Sequence, residues 1–462
     1  MKILLIDPPR KGWWLLYDTI LPNLGLAHLA SYIEKYLHNY EIEIKIIDCS
    51  ANKISWNELE NIIENEEPNI IGVSAITCNI NLAYKVCELA KKVNSKILTV
   101  IGGPHPTFCT NQVLNECKYV DVIVRGEGEE TFKELVLSYM EHDEIKPVNG
   151  ISYRINNRII HCPDRNLIEP LDKIPAPAWH LLPMDKYRLS AWGNKAIIYV
   201  SSRGCPFKCI FCSEWKFWRN KWRGYSANRI FNDMRILVEK YDKNIIWFGD
   251  DTFNVDRKRI IDLCNLILEN NLKVNWGIEA RIDLLYRDLD LIKLMREAGL
   301  IWTLIGIESP YQNELSNMEK NIRIEQINEV VKVLKDYDII VQGMFIIGTP
   351  NDTRETILEK AEYALKLDLD FTIFTPLTPL PGTILYEWAK NNNLIKIHDY
   401  SKYDFAHAIM DTWNLSYSEV QKLMIECYKK FYFNPIRTIG KMFSRNKFRR
   451  AIYWHFIKLL LK

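Results

Sequence analysis

Three cysteines stand at Cys-x3-Cys-x2-Cys spacing, Cys205, Cys209 and Cys212, directly after the apolar run at residues 196–200. Thiolates are soft ligands, and three on one short loop converge on a metal centre without help from distant parts of the chain. The spacing therefore predicts a loop at a strand end that holds an iron–sulfur cluster. A cubane has four iron corners, so three cysteines leave one iron open to a small molecule. A zinc site and disulfides are the alternatives. Structural zinc sites are closed by four ligands, and no further Cys or His follows at a suitable local spacing. Disulfides would leave one of the three thiols over, and nothing else in the sequence suggests secretion.

The 462 residues are long enough for two or three domains with sizeable cores. A net charge of +2 gives no reason to expect global attraction to nucleic acid. Residues 1–7 read as a strand, broken too soon by Pro8 and Pro9 to be a signal peptide. No apolar run approaches the roughly 20 residues of a membrane span. The expectation is a cytoplasmic protein whose eleven cysteines stay reduced, the scattered eight such as Cys87 and Cys264 being inert.

Up to residue 140 short apolar runs alternate with amphipathic segments. Strands are expected at 3–6, 42–47, 70–74, 97–101 and 120–124, and helices at 24–36, 56–64, 82–93 and 129–140. This alternation predicts a doubly wound, Rossmann-like parallel sheet, whose ligands bind beyond the carboxyl ends of the strands. The loops there are rich in glycine and small polar groups: Ser74-Ala75-Ile76-Thr77, Gly102-Gly103-Pro104-His105-Pro106-Thr107 and Arg125-Gly126-Glu127-Gly128. They are either tight structural turns or a surface that a bulky ligand approaches closely. Residues 141–195 read as a linker, with a hairpin turning at Asn156-Asn157 and a proline-punctuated strap through Pro175, Pro177 and Pro183.

From residue 196 six strand-like runs, at 196–201, 245–248, 273–280, 301–307, 339–347 and 371–376, again alternate with amphipathic segments. The count predicts a partial (β/α)6 barrel up to about residue 390, with its chemistry at the carboxyl ends of the strands. Aromatic residues Trp215, Phe217, Trp218, Trp222 and Tyr225, interleaved with Lys and Arg, would cover the cluster, stack on a substrate or form a packed lid. The final residues, 391–462, are expected to be helical and basic. Their cations alternate with apolar side chains, which suits either an anionic membrane or lipid-linked substrate, or a helix pair packed on the barrel.

Gly204-Cys205-Pro206-Phe207-Lys208-Cys209-Ile210-Phe211-Cys212 resembles the signature of radical S-adenosylmethionine enzymes. The glycine-rich loops, with Asn23-Leu24-Gly25 opening the first helix, are similar to the cobalamin-binding domain that precedes many of them. The resemblance implies a [4Fe–4S] cluster on Cys205, Cys209 and Cys212, with the amine and carboxylate of S-adenosylmethionine chelating the open iron. It implies that Pro8, Ser74, Thr77, Gly102, Gly103, Gly126, Glu127 and Gly128 line the cobalamin pocket, with His105 as a turn or wall residue. The motif Asp-x-His-x2-Gly, whose histidine binds cobalt from below, is absent from the first loop, Asp7-Pro8-Pro9-Arg10-Lys11-Gly12. For S-adenosylmethionine it implies Phe211 in the cluster loop, Asp250 and Asp251 for the ammonium, and Glu279 and Arg281 at the third strand end. Arg281 would be a bidentate fork for the carboxylate. Glu308 would take the ribose hydroxyls, and Ile347 and Gly348 the adenine.

The function so implied is methylation of an unactivated carbon, or less often phosphorus, through a 5'-deoxyadenosyl radical and methylcobalamin. A radical rearrangement or cyclisation is the alternative, and a non-enzymatic cobalamin or redox-sensing module the alternative of another class. The implied partners are a small-molecule or lipid substrate and a reductant such as flavodoxin or ferredoxin.

Overall fold

The computed structural model describes residues 1–10, 19–155 and 158–460. Lys11 and Gly12 of the first loop, the Asn156-Asn157 turn, and Leu461 and Lys462 lie outside the described residues. The chain divides into two compact units, Met1–Tyr187 and Arg188–Lys462.

The first unit is built on a seven-stranded sheet. Strands β1 (Lys2–Asp7), β2 (Glu43–Asp48), β3 (Ile70–Ser74), β4 (Leu98–Gly102) and β5 (Val122–Val124) are parallel, in the order β2-β1-β3-β4-β5. Ile3, Leu4, Leu5 and Ile6 are all fully buried, as a central strand covered on both faces requires. The order reverses at β1, so the edge beyond β1 and β3 is the switch point where such sheets take ligands. The hairpin expected in the linker instead completes this sheet. Its strands β6 (Ile151–Ile155) and β7 (Arg158–His161) add antiparallel beyond β5. The proline strap belongs to the same unit: the Ala178 N–H donates to Ala27 O at 3.0 Å, and Ile174, Ala178 and Trp179 are buried.

The second unit begins with β8 (Ala196–Tyr199), followed by a two-residue pair, β9 (Ser202–Arg203) antiparallel to β10 (Arg223–Gly224). Strands β11 (Ile245–Phe248), β12 (Asn275–Ala280), β13 (Leu300–Glu308), β14 (Ile340–Ile347) and β15 (Phe371–Pro376) then join β8 in one six-stranded parallel sheet in sequential order. Helices such as Ala227–Glu239, Ile324–Asp336 and Arg354–Lys366 connect them. This is a half-barrel with two free edges. At one edge the helix Tyr417–Tyr432 closes the exposed backbone of β15. The Tyr432 hydroxyl donates to Thr372 O at 2.7 Å and accepts the Thr372 N–H at 3.1 Å, and Tyr428 does the same for Phe374. An edge satisfied in this way offers no template to another chain.

The basic tail takes the packed alternative, at least in part. Arg449 donates to Asp370 at 2.6 Å and to Asp338 at 2.6 Å, and Lys441 reaches Asp370 at 3.1 Å. Asp338 and Asp370 stand just before β14 and β15, so the helices Pro435–Met442 and Lys447–Leu460 close the amino-terminal end of the half-barrel.

Candidate active site

The cysteine loop is held at its root by the neighbouring strand end. Asp250, which is fully buried, accepts the Ser201 N–H and the Ser201 and Ser202 hydroxyls, all at 2.6 Å. Behind it the buried Arg259 donates to Ser201 O at 3.0 Å and Phe253 O at 2.7 Å. Next along, Asp251 accepts the Gly204 N–H at 2.9 Å. Gly204 has φ +89°, and a Cβ there would collide with the Lys221 carbonyl and approach Trp218 Cβ. The aromatic stretch lies across this glycine as a packed cover. Trp215 Nε1 donates to Cys209 O at 3.2 Å, Trp222 Nε1 donates to Thr252 O at 3.1 Å, and the Arg203 and Arg223 guanidinium groups lie over the Trp218 ring.

Cys209 is buried, while Cys205 and Cys212 are half-buried. Burial pushes Cys205 and Cys212 above the ordinary thiol range, so cluster loading must expel protons from them. The thiolate so formed at Cys209 faces a cation, Arg281 Nη1 at 3.8 Å from Sγ, which favours the charged sulfur. Three thiols on one turn with a guanidinium against them match the donor chemistry of an iron–sulfur cluster.

The expected ligands of S-adenosylmethionine divide into engaged and available groups. Asp250 is engaged by Ser201 and Ser202, so of the adjacent acids only Asp251 faces solvent; the ammonium role expected of both fits Asp251 alone. Protein atoms crowd Asp251 even so. Burial and the Glu214 carboxylate push its pKa well above the ordinary range, as expected for the wall of a recess. Burial and the Asp250 charge lift Glu279 to about 8. The fork of Arg281 is not open to an incoming carboxylate as expected. It closes on Asp283, at 3.0 and 3.2 Å, while Nη2 also donates to Lys320 O at 2.6 Å and Phe207 stacks at 3.6 Å. Its Nη1 lies beside Cys209 Sγ instead.

Glu308 ends β13 across a register shift, with φ +62°, and accepts from Lys320 Nζ at 2.6 Å. A left-handed glutamate at a strand end is a strained position of the kind found at ligand sites. Ile347 is fully buried, with its carbonyl bonded to Leu377 N–H at 2.8 Å, so its side chain serves the core rather than a base. Gly348 has φ +71°, and Val420 packs against it. Phe211 lines a cavity of about 430 Å³ together with Ile210, Thr349, Pro350, Leu377 and Trp388. Thr252, Arg259 and Lys320 escaped the sequence reading; only Thr252, beside Asp251 and 3.3 Å from Cys205 Sγ, carried a local signal.

In the first unit the glycine loops meet at the carboxyl edge of the sheet. Gly103 has φ +104°, and a Cβ there would meet Ala75 O at 2.5 Å, so the loops after β3 and β4 touch through it. Thr107 Oγ1 accepts the Gly126 N–H at 2.9 Å and donates to Gly103 O at 2.8 Å, tying the β4 and β5 loops together. A Cβ on Gly126 would meet nothing within 4 Å. This open glycine edge suits the approach of a broad, flat ligand such as a corrin. Ser74 and Thr77 are half-buried at the same edge, and Gly102 and Gly128 flank it. Pro8 is buried at the foot of the first loop, where Asp7 accepts from Asn23 Nδ2 at 3.2 Å. His105 and Glu127 turn inward. His105 is 1% exposed, with Nδ1 3.2 Å from Thr77 Oγ1, and burial lowers its pKa to about 4. Glu127 accepts the Ile168 N–H at 2.7 Å.

Comparison with known proteins agrees with both halves. A family profile described as B12 binding domain matches residues 17–136, and one described as Radical SAM superfamily matches residues 199–364. The chain is similar to an uncharacterized methyltransferase of Pyrococcus horikoshii, at 37% identity over 98% of this chain and 97% of that protein. It is also similar to an anaerobic magnesium-protoporphyrin IX monomethyl ester cyclase of Rubrivivax gelatinosus, at 31% identity over 100% of this chain and 82% of that protein. Among solved structures its fold resembles the cobalamin-dependent S-adenosylmethionine radical enzyme OxsB, with TM-score 0.76 and 18% identity over 99% of this chain and 71% of that one. It also resembles the radical S-adenosylmethionine methyltransferase TsrM of Kitasatospora setae, with TM-score 0.72 and 13% identity over the whole of both chains. The chain belongs to the family of cobalamin-dependent radical S-adenosylmethionine enzymes. The cofactors of that family are a [4Fe–4S] cluster, S-adenosylmethionine and cobalamin, and its chemistry requires an external reductant. No helix of the described residues is long and apolar enough to cross a membrane.

Proposed function

We propose that the chain methylates an unactivated carbon, or a phosphorus centre, of a small-molecule or lipid substrate. The observation that carries this reading is the coexistence in one chain of a thiol loop beside an accessible, recessed carboxylate and a glycine-lined sheet edge. Radical methylation needs both a radical source and a methyl carrier. When bound, the cluster and cobalamin would supply the one-electron cleavage of S-adenosylmethionine and the methyl group, respectively.

The chain's own residues supply binding and orientation. Cys205, Cys209 and Cys212 would hold the cluster, and Arg281 would offset the negative charge at Cys209. Asp251 receives the methionine ammonium. Glu279 keeps its proton near neutral pH and is a hydrogen-bond donor for the methionine carboxylate. Glu308, steadied by Lys320, takes the ribose hydroxyls, and Phe211 with Thr349, Pro350 and Leu377 brackets the adenine. Ser74, Thr77, Gly102, Gly103, Gly126 and Gly128 form the corrin edge. A flavodoxin or ferredoxin donates the electron in the cytoplasm, where the cysteines stay reduced.

The test is anaerobic reconstitution with iron, sulfide and cobalamin, followed by assay for 5'-deoxyadenosine and for product mass. The reading expects cleavage that Cys205→Ala abolishes, and a product heavier by one methyl group. Cleavage that persists in Cys205→Ala would sink it. Cyclisation is a second reading, supported by the cyclase relative at 31% identity; a product without an added methyl group favours it.

A further inference from the structure

The last part of the chain has an imbalance that packing on the half-barrel does not use up. After Glu426 there are ten Lys and Arg residues and no Asp or Glu. Arg437, Lys441 and Arg449 are spent on Asp338, Asp368 and Asp370. Because Lys441 and Arg449 grip the same Asp370, both terminal helices turn one face toward it. Helical spacing then sends the opposite faces away from the barrel. On the first helix that outward face carries Ile439 and, just past its end, Phe443, which are 55% and 74% exposed. On the second it carries Lys447, Arg450 and Trp454, with Trp454 44% exposed. Arg445, also exposed, lies in the turn between them.

Large apolar side chains held in water beside cations, with no acidic residue among them, have the composition of a surface that lies on an anionic bilayer. Aromatic groups enter the headgroup boundary, and Lys and Arg meet lipid phosphates. We propose that this face docks the enzyme on a membrane rich in anionic phospholipid. Position argues against its being a dock for the reductant. All six strands of the sheet are parallel. The helices therefore sit at the amino-terminal end, and the cysteine loop follows the carboxyl end. Eight residues of β14 separate the two ends by about 26 Å, too far for a donor bound there to reach the cluster directly. The docking leaves the carboxyl ends of the strands free and is independent of which reaction they perform.

The experiment is co-sedimentation of the reconstituted full-length chain with two kinds of vesicle. One is phosphatidylcholine alone; the other contains about one-third phosphatidylglycerol. Binding to the anionic vesicles only, weakened by salt, is expected. Arg445→Gln, Lys447→Gln and Arg450→Gln combined should lower partitioning on the order of 100-fold, since each such cation contributes about 5-fold. Phe443→Ser with Trp454→Ser should weaken binding even at low salt. Both sets change exposed groups, and the salt series on the parent protein needs no variant. Absence of binding to anionic vesicles overturns the proposal, as does equal binding to both lipid mixtures. A stable dimer in gel filtration that Phe443→Ser dissociates, or binding of an acidic redox protein lost in the triple variant, overturns it equally.

Discussion

Asp250 holds Ser201 by two atoms at once, accepting its backbone N–H and its hydroxyl, each at 2.6 Å. The carboxylate at the end of β11 thereby fixes the first residue of the loop that carries the cysteines, and Arg259 Nη2, 3.8 Å from the Asp250 carboxylate, balances its charge. Asp250→Asn keeps the shape but leaves a buried guanidinium without its counter-charge. A loss of about 3 kcal/mol in unfolding free energy is expected, read from urea denaturation of the apo chain, along with lower iron content after reconstitution. Unchanged iron loading would show that the loop does not depend on this anchor.

The raised pKa of Glu279 makes stability depend on pH. In the folded chain the group titrates near 8, whereas unfolded it titrates near 4.5. Between these values the folded state holds a proton that the unfolded state has lost. Stability is therefore greatest below the unfolded value and declines as pH rises toward 8, by up to about 1.4 kcal/mol per pH unit. Thermal melts of the apo chain between pH 5 and 8 should show this decline, and Glu279→Gln should flatten it. An identical slope in the variant would assign the effect to other groups.

At the other end of the half-barrel, Asp370 is fully buried and accepts from Arg449, Lys441 and the Val341 N–H. Removing its charge takes the buried partner from Arg449 and Lys441 and leaves them only the more exposed Asp338 and Asp368, so Asp370→Asn should cost about 3 kcal/mol. Limited proteolysis should then release the terminal helices before the rest of the chain is cut. A variant as stable and as resistant as the parent would contradict the clamp.

Gly103 combines φ +104° with a hypothetical Cβ 2.5 Å from Ala75 O. Gly103→Ala must therefore displace the β3 loop or strain the backbone, at a cost of about 1 to 3 kcal/mol. Corrin retained after gel filtration, followed by its visible absorption, is expected to fall while iron content stays unchanged. Full retention of corrin would remove this glycine from the proposed edge.

The strands and helices were legible because their patterns are local. The helix expected at 24–36 is Leu24–Tyr36, and the strands expected at 245–248 and 371–376 have those bounds. The hairpin at Tyr153 was visible as a hairpin, but nothing in it says that its partner is β5. Within the site, the cysteines and the acids of Gly249-Asp250-Asp251 stood out by type and spacing. What their side chains do did not. Asp250 and Asp251 are neighbours in sequence, yet one is spent on Ser201 and Ser202 and the other faces solvent, because successive residues at a strand end point to opposite sides. Arg281 offered a fork in the right place, but Asp283 two residues on had already closed it.

The sequence by itself determined the chemistry this chain can carry. Thiol spacing, glycine content and hydrophobic period are properties of neighbouring residues, and three cysteines within eight positions meet a cluster in almost any fold that exposes their loop. Tertiary structure alone decided which charges remain for a ligand. The pairing of Arg449 with Asp370, Lys320 with Glu308 and the Tyr432 hydroxyl with Thr372 joins residues 79, 12 and 60 positions apart. Such pairs form only when packing brings distant segments together, and burial then sets the strength of each. The same packing that consumed Arg437, Lys441 and Arg449 left Phe443, Lys447, Arg450 and Trp454 outside, a division that the alternation of basic and apolar residues could not reveal.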